Sequence, residues 1–165
     1  LTLIFSFIAV ALTEEALKIL VLLAFPFRRD FFNEPMDGII YSVMVGMGFA
    51  TLENVLYAVD FGLGTTIMRA FTAVPAHGIF AVIMGYYIGL AKFDRRNRIK
   101  LLLIGLLLAV AVHGTYDFFI LQQAYEWLML LAVVTLMGSI YYGRKLIKLH
   151  QDNSPFRILI AEEEE

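Results

Sequence analysis

The sequence predicts an all-α membrane protein, a polytopic bundle of about five transmembrane helices, from three observations. The first is composition: 60% of the 165 residues are hydrophobic, a proportion typical of membrane proteins. The second is that these residues form five long apolar stretches of about 20 residues, the length that crosses a bilayer core. The third is that helix-breaking and charged residues fall between the stretches and rarely within them.

Each predicted span is bounded by residues that end helices. The spans are 2–26, 37–60, 67–91, 99–122 and 126–148. Pro26 ends the first span, because proline removes a backbone donor. Gly62 and Gly64 divide the second span from the third, and the charged loop 92–100 divides the third from the fourth. Gln122 and its polar neighbour begin the short turn before the fifth.

The basic residues are distributed unevenly between the two ends of these spans. The 28–36 loop, the 92–100 loop and the C-terminal segment carry nearly all of them, whereas Arg69 lies at the opposite end. By the positive-inside rule, we expect the two loops and the C-terminus to face the cytoplasm in a multi-pass protein of the cell membrane. We divide the chain into a membrane domain, 1–149, and a polar cytoplasmic tail, 150–165.

Several properties narrow the function classes. The chain has no cysteine, which excludes a thiolate nucleophile, a disulfide and a Cys-ligated metal site. Its net charge is −2, and four of its acidic residues form the terminal run Glu162–Glu165. We expect a lipid bilayer and a membrane-protein or peptide partner, and no nucleic acid. The sequence opens within an apolar run and without Met, so we expect a processed or truncated N-terminus with room for further spans upstream.

Ionisable residues interrupt four of the five spans. A charged side chain at mid-bilayer costs about 2.5–3.5 kcal/mol on insertion scales, so each needs a partner, a wet cavity or a function. Counting about 1.5 Å of rise per residue from the predicted outer ends, all but Lys18 fall at mid-membrane or in its outer half. We therefore expect one shared site. Its candidate residues are Glu14, Glu15, Lys18, Glu53 with its neighbour Asn54, His77, His113 and Asp117.

Spacing along the helices predicts pairs within this set. His113 and Asp117 are four residues apart and share a helix face, as do Glu14 and Lys18. Glu15 points about 100° away from Glu14, so one acid can pair with Lys18 while the other faces elsewhere. Asp60 and Arg69, at the outer boundary, are expected to be solvated.

Other features predict how the helices pack. Ser42, Gly46 and Ala50 are spaced four residues apart, as are Gly85 and Gly89, and small residues on one face allow membrane helices to approach closely. Pro75 is expected to lie inside the third span and to bend it beside the histidine at position 77.

Structural explanations exist for every one of these polar residues. Glu14, Glu15 and Lys18 could form a buried ion pair with a spare acid, and Glu53-Asn54 a polar contact between helices. His77 could bond a backbone carbonyl freed by Pro75, and His113 with Asp117 could be a structural pair. These explanations are less satisfactory jointly than singly, because they leave the shared depth unexplained.

Five short motifs, in this order, carry a family resemblance. They are EEALK at 14–18 (an EExxK motif), DGIIY at 37–41, GFATLEN at 48–54, PAH at 75–77 and HGTYD at 113–117 (an HxxxD motif). On these motifs, the chain resembles the PrsW-type intramembrane proteases and, more distantly, the CAAX-prenyl-protease and bacteriocin-processing (Abi) superfamily. That superfamily carries EExxxR and often HxxxN, so Lys18 and Asp117 favour the PrsW branch.

The resemblance implies an intramembrane endopeptidase with a chemistry that has two versions. In the first, Glu14 or Glu15 is the base, His77 orients the water, and His113, held by Asp117, stabilises the oxyanion. In the second, His77, His113 and one carboxylate hold Zn²⁺, which activates the water. The sequence has no HExxH motif to favour the metal version.

The resemblance also implies a substrate: a single-span membrane protein such as an anti-sigma factor, cleaved near its extracytoplasmic side. The alternative is a small proton- or cation-coupled carrier that uses the same residues as a relay. We see no internal repeat of the kind that transporters often show. A catalytically idle binding or scaffold protein is a third hypothesis. Oligomeric state is not predicted by any feature of the sequence.

Overall fold

The computed structural model describes residues 1–156 and consists of helices joined by short connections. We number five helices. They are α1, 2–24, made of an α-turn Thr2–Ile4, a π-helix Phe5–Leu12 and an α-helix Thr13–Ala24; α2, Pro35–Phe71; α3, Ala73–Phe93; α4, Arg98–Leu121; and α5, Met129–Asp152. One-turn 3₁₀ helices, Pro26–Arg28 and Glu126–Leu128, lie in the connections. No strand occurs within 1–156, which confirms the predicted all-α class.

Four of these helices are long and apolar enough to cross a membrane. They are Pro35–Phe71, Ala73–Phe93, Arg98–Leu121 and Glu126–Asp152, the last of which includes the 3₁₀ turn before α5. The stretch 2–24 is helical throughout, and at about 1.5 Å per residue it would also reach across a hydrocarbon core. The prediction of a helical bundle with about five spans is confirmed.

The predicted boundary between the second and third spans is wrong. Gly62 does break the helix, with φ 79° and ψ 174°, but the chain resumes helical geometry at once and continues to Phe71. The third helix begins at Ala73 rather than at residue 67. Pro75 therefore lies in the first turn of α3, where backbone N–H groups have no partner within the helix, so it does not bend the span.

Helix α3 is the centre of the bundle, and its small residues set the close approach of α2. A Cβ on Gly85 would overlap the backbone of Gly38, and a Cβ on Gly46 would press against Ala81 and the His77 carbonyl. Since two α-carbons can meet here without side chains between them, α2 and α3 pack along much of their length. The predicted packing through small residues is confirmed.

The C-terminal helix packs against the same end of the bundle as the start of α2. It runs to Asp152, and the ring of His150 is buried, its Nε2 donating to the Tyr86 carbonyl at 3.0 Å. Ser154 donates to Glu34 at 2.5 Å. The predicted tail 150–165 therefore begins inside a helix, while its remainder, 157–165, lies outside the described residues. The division into domain and tail stays a prediction.

Candidate active site

One polar cavity of about 230 Å³ lies between α1, α2, α3 and α4. Each of these helices contributes ionisable side chains to its wall, and aromatic and apolar residues complete it. The ionisable residues that line it are Glu14, Glu53, Arg69, His77, His113 and Asp117. Residues from four separate predicted spans thus share one cavity.

Helix α1 supplies two acids with different environments. Glu14 lines the cavity with 14% of its side chain exposed, whereas Glu15 is fully buried at 0%. Consecutive residues of a helix point about 100° apart, which sends one carboxylate into the cavity and the other between α1 and α4. The π-helix Phe5–Leu12 immediately precedes this pair. Helical turns of this kind are rare in proteins overall, but those that occur are often found at functional sites.

Lys18 ties α1 to α3. Its side chain is 1% exposed, and its Nζ donates to Oε1 of Glu15 at 2.7 Å and to Nδ1 of His77 at 2.9 Å. The Oε2 atom of Glu14 is farther, at 3.5 Å. The predicted i,i+4 pair with Glu14 exists, but the closer partner of this ammonium is Glu15.

His113 lies between two carboxylates. Its Nδ1 is 2.9 Å from Oε1 of Glu15, and its Nε2 is 3.1 Å from Oδ2 of Asp117, the predicted partner one helical turn along α4. A carboxylate accepts hydrogen bonds, so Nδ1 donates to Glu15, and the second carboxylate beside Nε2 favours a proton on that nitrogen as well. Phe80 stacks on the imidazole with centroids 5.2 Å apart, which fixes the plane of the ring.

His77 has the opposite arrangement on its two nitrogens. An ammonium group can only donate, so Nδ1 of His77 accepts from Lys18 and its proton must reside on Nε2. That Nε2 lies 3.2 Å from Oε2 of Glu53, a salt-bridge distance. His77 is thus held between a cation on α1 and a carboxylate on α2, and its ring meets that of His113 edge to face at 4.9 Å.

Arg69 belongs to this cavity, and the prediction that it is solvated is wrong. Its NH2 group lies 2.8 Å from Oε2 of Glu53, and its guanidinium stacks over the Tyr57 ring at 3.6 Å. The residue was missed because the predicted break at 62–64 placed it at the very start of the third span, at the outer boundary of the membrane. An arginine near the end of an apolar stretch that also contains an unpaired acid is the signal that could have identified it. Asn54, predicted as a supporting residue, donates to the Thr66 carbonyl at 3.1 Å.

Two carboxylate oxygens of residues that line the cavity have no hydrogen-bond partner among the described residues, Oε2 of Glu14 and Oε2 of Glu53. Oε2 of Glu14 is buried and has no hydrogen-bond partner among the described residues. It lies 3.9 Å from Nδ1 of His77 and 4.0 Å from Nε2 of His113. Oε2 of Glu53 is closely paired with Arg69 at 2.8 Å, whereas the nearest charged group to Oε2 of Glu14 is Lys18 at 3.5 Å. Glu14 is therefore the acid that lies between the two imidazoles without a close partner.

Comparison with known proteins identifies the family of the chain. The family model described as "PrsW family intramembrane metalloprotease" matches residues 1–142. The chain belongs to the PrsW family. Proteins named "Protease PrsW" from Geobacillus kaustophilus, Clostridioides difficile and Bacillus subtilis are 45%, 39% and 39% identical to it over 118, 135 and 124 residues. These alignments cover 72%, 78% and 74% of this chain and 52%, 56% and 56% of the relatives.

The chain therefore spans about half the length of the PrsW relatives it matches. The matched region includes every ionisable residue of the cavity, since the family model runs from residue 1 to residue 142. No solved structure matches the chain.

The matching family is described as a metalloprotease family, so we asked whether the cavity residues could bind a metal ion. Three of them lie close enough together to do so. Glu14, His77 and His113 each have one ligand atom within 4.8 Å of the others. However, a histidine binds a metal through a nitrogen lone pair, and here Nδ1 of His77 accepts from Lys18, which leaves the proton of that ring on Nε2. Both nitrogens of His113 lie next to carboxylate oxygens, at 2.9 Å from Glu15 and 3.1 Å from Asp117, which favours a proton on each. In this arrangement only Glu14 has a free ligand atom, so the donor set does not fit a three-ligand metal site.

Proposed function

We propose that this chain contains the catalytic centre of an intramembrane endopeptidase in which Glu14 activates water. The observation that carries the proposal is the unpartnered Oε2 of Glu14, which faces a polar cavity between two imidazoles. A general base needs a free lone pair next to space for a water molecule. The other two groups in contact with Lys18 already have hydrogen bonds: Nδ1 of His77 accepts from Lys18, and Oε1 of Glu15 accepts from Lys18 and from His113.

The proposed reaction begins with proton transfer from water to Oε2 of Glu14. The hydroxide oxygen adds to the carbonyl carbon of the scissile peptide bond, and the carbonyl oxygen becomes an oxyanion. The protonated Glu14 then returns its proton to the amide nitrogen as the C–N bond breaks, so that Glu14 is regenerated and both products are neutral in this balance. No step in this sequence requires a bound metal.

In this mechanism one histidine stabilises the oxyanion and the other orients the attacking water. His113 carries a hydrogen on both nitrogens, and its Nε2, 4.0 Å from Oε2 of Glu14, donates to the oxyanion. Asp117 and Glu15 hold the ring in that state from either side. His77, fixed between Lys18 and Glu53, orients the water against Glu14. Glu15 is thus a supporting residue, although the sequence offered it equally as the base.

We further propose that the substrate is a single-span membrane protein of the anti-sigma-factor type, cleaved near its extracytoplasmic side. The cavity residues Arg69 and Asp117 lie near the ends of α2 and α4 that point away from the basic loop 92–100. If that loop faces the cytoplasm, as charge predicts, the cavity opens toward the outer half of the cell membrane. By the same distribution of basic residues, we propose that the 28–36 loop and the C-terminus face the cytoplasm.

The test is cleavage in proteoliposomes that contain the protein and an anti-sigma-factor-like single-span substrate. We expect Glu14→Gln, His113→Gln and His77→Gln each to reduce the cleavage rate by about 100-fold or more, as removal of an acid–base group does. Asp60→Asn, at an exposed position on α2, should cleave at the wild-type rate. Wild-type cleavage by Glu14→Gln would overturn the proposal, and ion flux without proteolysis would establish the carrier instead.

A further inference from the structure

A short helical segment, 63–71, leaves the axis of α2 and folds back over the cavity. Its two ends are marked by non-helical backbone: Gly62 has φ 79° and ψ 174°, and Thr72 has φ −121° and ψ −74°. Asn54, on the main part of α2, donates to the Thr66 carbonyl at 3.1 Å and so fastens the segment to the helix it departs from. This return path carries Arg69 back to the level of Glu53.

The Arg69 guanidinium is held in a defined position there. It is 17% exposed, its NH2 group lies 2.8 Å from Oε2 of Glu53, and its plane stacks on Tyr57 at 3.6 Å. Residues 53 and 57 are one turn apart on α2, so Glu53 contacts the edge of the guanidinium while Tyr57 packs against its face. An arginine in an apolar setting is stable when paired and stacked in this way.

The same carboxylate oxygen lies at salt-bridge distance from two positively polarised groups. Oε2 of Glu53 lies 2.8 Å from Arg69 and 3.2 Å from Nε2 of His77. A side chain as flexible as glutamate needs a second contact to stay against an imidazole, and the ion pair with Arg69 provides it. Without Arg69, the carboxylate would be free to turn toward the cavity, and His77 would lose the negative charge that lies beside its Nε2.

We propose that Arg69 is a positioning residue of the reaction, which holds the Glu53 carboxylate beside Nε2 of His77 and thereby keeps that ring oriented toward the water. The proposal rests on the proposed function. It extends the set of residues that control the reaction to the 63–71 segment, which no motif in the sequence covers. The effect passes from Arg69 through Glu53 to His77, so Arg69 itself touches neither water nor peptide.

Kinetics of single and double variants test this chain of contacts. We expect Arg69→Met and Glu53→Gln each to lower kcat by about tenfold or more, as loss of the partner that orients a histidine does, with KM within about twofold of wild type. The double variant should be no slower than the slower single variant, because both changes break the same link. Arg95→Met, an exposed arginine in the 92–100 loop, is the control and should leave kcat unchanged.

Two outcomes would overturn the proposal. A rise in KM with unchanged kcat would make Arg69 a substrate-binding residue, and fully additive losses in the double variant would mean that it acts independently of Glu53. If Arg69→Met does not fold in detergent, Arg69→Lys keeps the charge but loses the planar contact with Tyr57. That variant should show an intermediate kcat, and a wild-type kcat would contradict the proposal.

A measurement that does not depend on activity separates this inference from the proposed function. The chain has three histidines, so ¹⁵N-histidine labelling yields few ring signals, and His150 serves as a distant internal reference. We expect Arg69→Met to shift the ring nitrogens of His77 and leave those of His150 in place. Unchanged His77 signals would overturn the positioning role even if Glu14→Gln proves inactive. Shifted signals with an active Glu14→Gln would instead overturn only the proposed base.

Discussion

The side-chain ammonium of Lys18 lies 2.9 Å from Nδ1 of His77, and this contact sets which nitrogen of that ring carries the proton. Because an ammonium only donates, it occupies the lone pair of that imidazole and directs the ring proton to the opposite nitrogen. Its second bond, 2.7 Å to Glu15, continues through that carboxylate to His113. An unbroken series of contacts therefore links α2, α3, α1 and α4, from Arg69 to Asp117.

The two adjacent acids of α1 should separate activity from stability. We expect Glu14→Gln to abolish cleavage while leaving the free energy of unfolding near or above that of wild type, because the Oε2 atom it replaces is buried without a hydrogen bond. Glu15→Gln removes a carboxylate that pairs with buried Lys18 and His113, and breaking a buried ion pair costs about 3–5 kcal/mol.

Unfolding of detergent-solubilised variants by increasing SDS, with cleavage measured in parallel, checks this pair. The control is Asp60→Asn, whose residue is exposed on α2. A Glu14→Gln variant that is several kcal/mol less stable than wild type would show that Glu14 is a structural partner. An active Glu14→Gln with an inactive but stable Glu15→Gln would reverse their assignments.

Metal removal should have no effect on cleavage. Each ring nitrogen of His77 and His113 lies within 3.2 Å of the Lys18 ammonium or of a carboxylate oxygen, so a zinc ion would have to displace Lys18 or the carboxylates before it could bind. We expect protein purified in the presence of 1,10-phenanthroline to cleave at the untreated rate. A rate that falls after chelation and returns with one equivalent of Zn²⁺ would show that the hydrogen bonds rearrange around a metal.

The sequence predicted the convergence and the pairs of this site better than its connections. The i,i+4 partners His113 and Asp117 follow from helix periodicity alone, and so does the divergence of Glu14 and Glu15. The contact of Lys18 with His77, 59 residues away, depends on how α1 packs against α3, which no local spacing determines. Arg69 was lost for a related reason, because Gly62 predicts a break but not the direction in which the chain continues.

The backbone at Gly62 should be intolerant of a side chain. With φ 79° and ψ 174°, it occupies a region that is open essentially to glycine and costs other residues about 1–3 kcal/mol. We expect Gly62→Ala to lose stability by this amount and to lower kcat, because the 63–71 segment that carries Arg69 starts there. Cleavage rates and SDS unfolding measure both effects.

Gly64 provides the matched control for Gly62. It lies two residues later in the same segment, has open space around it and no positive φ, so Gly64→Ala should be neutral or slightly stabilising. Equal behaviour of the two alanine variants would show that the turn at position 62 does not set the position of Arg69.

The close approach of α2 and α3 should depend on Gly38. A Cβ there would overlap the backbone of Gly85 and Gly89, whereas a Cβ on Gly48, further along the same helix, meets nothing within 4 Å. We expect Gly38→Ala to lower the free energy of unfolding by about 1–3 kcal/mol, as overpacking does. Gly48→Ala should raise it by up to about 1 kcal/mol through helix propensity. Equal stability of the two variants in SDS unfolding would contradict this packing.

The direction in which the cavity opens can be tested because the chain contains no cysteine. Asp60 and Arg95 are both exposed, and they lie at the ends of α2 and α3 that point in opposite directions. We expect a membrane-impermeant maleimide to label Asp60→Cys in intact cells, and to label Arg95→Cys only after the membrane is opened. The reason is electrostatic: the loop 92–100 concentrates positive charge, which is retained on the cytoplasmic side. The cysteine-free parent is the blank, and cleavage activity of both variants shows that they keep the native fold. Labelling of Arg95→Cys in intact cells would invert the topology, and the proposed substrate would then have to be cut at its cytoplasmic side.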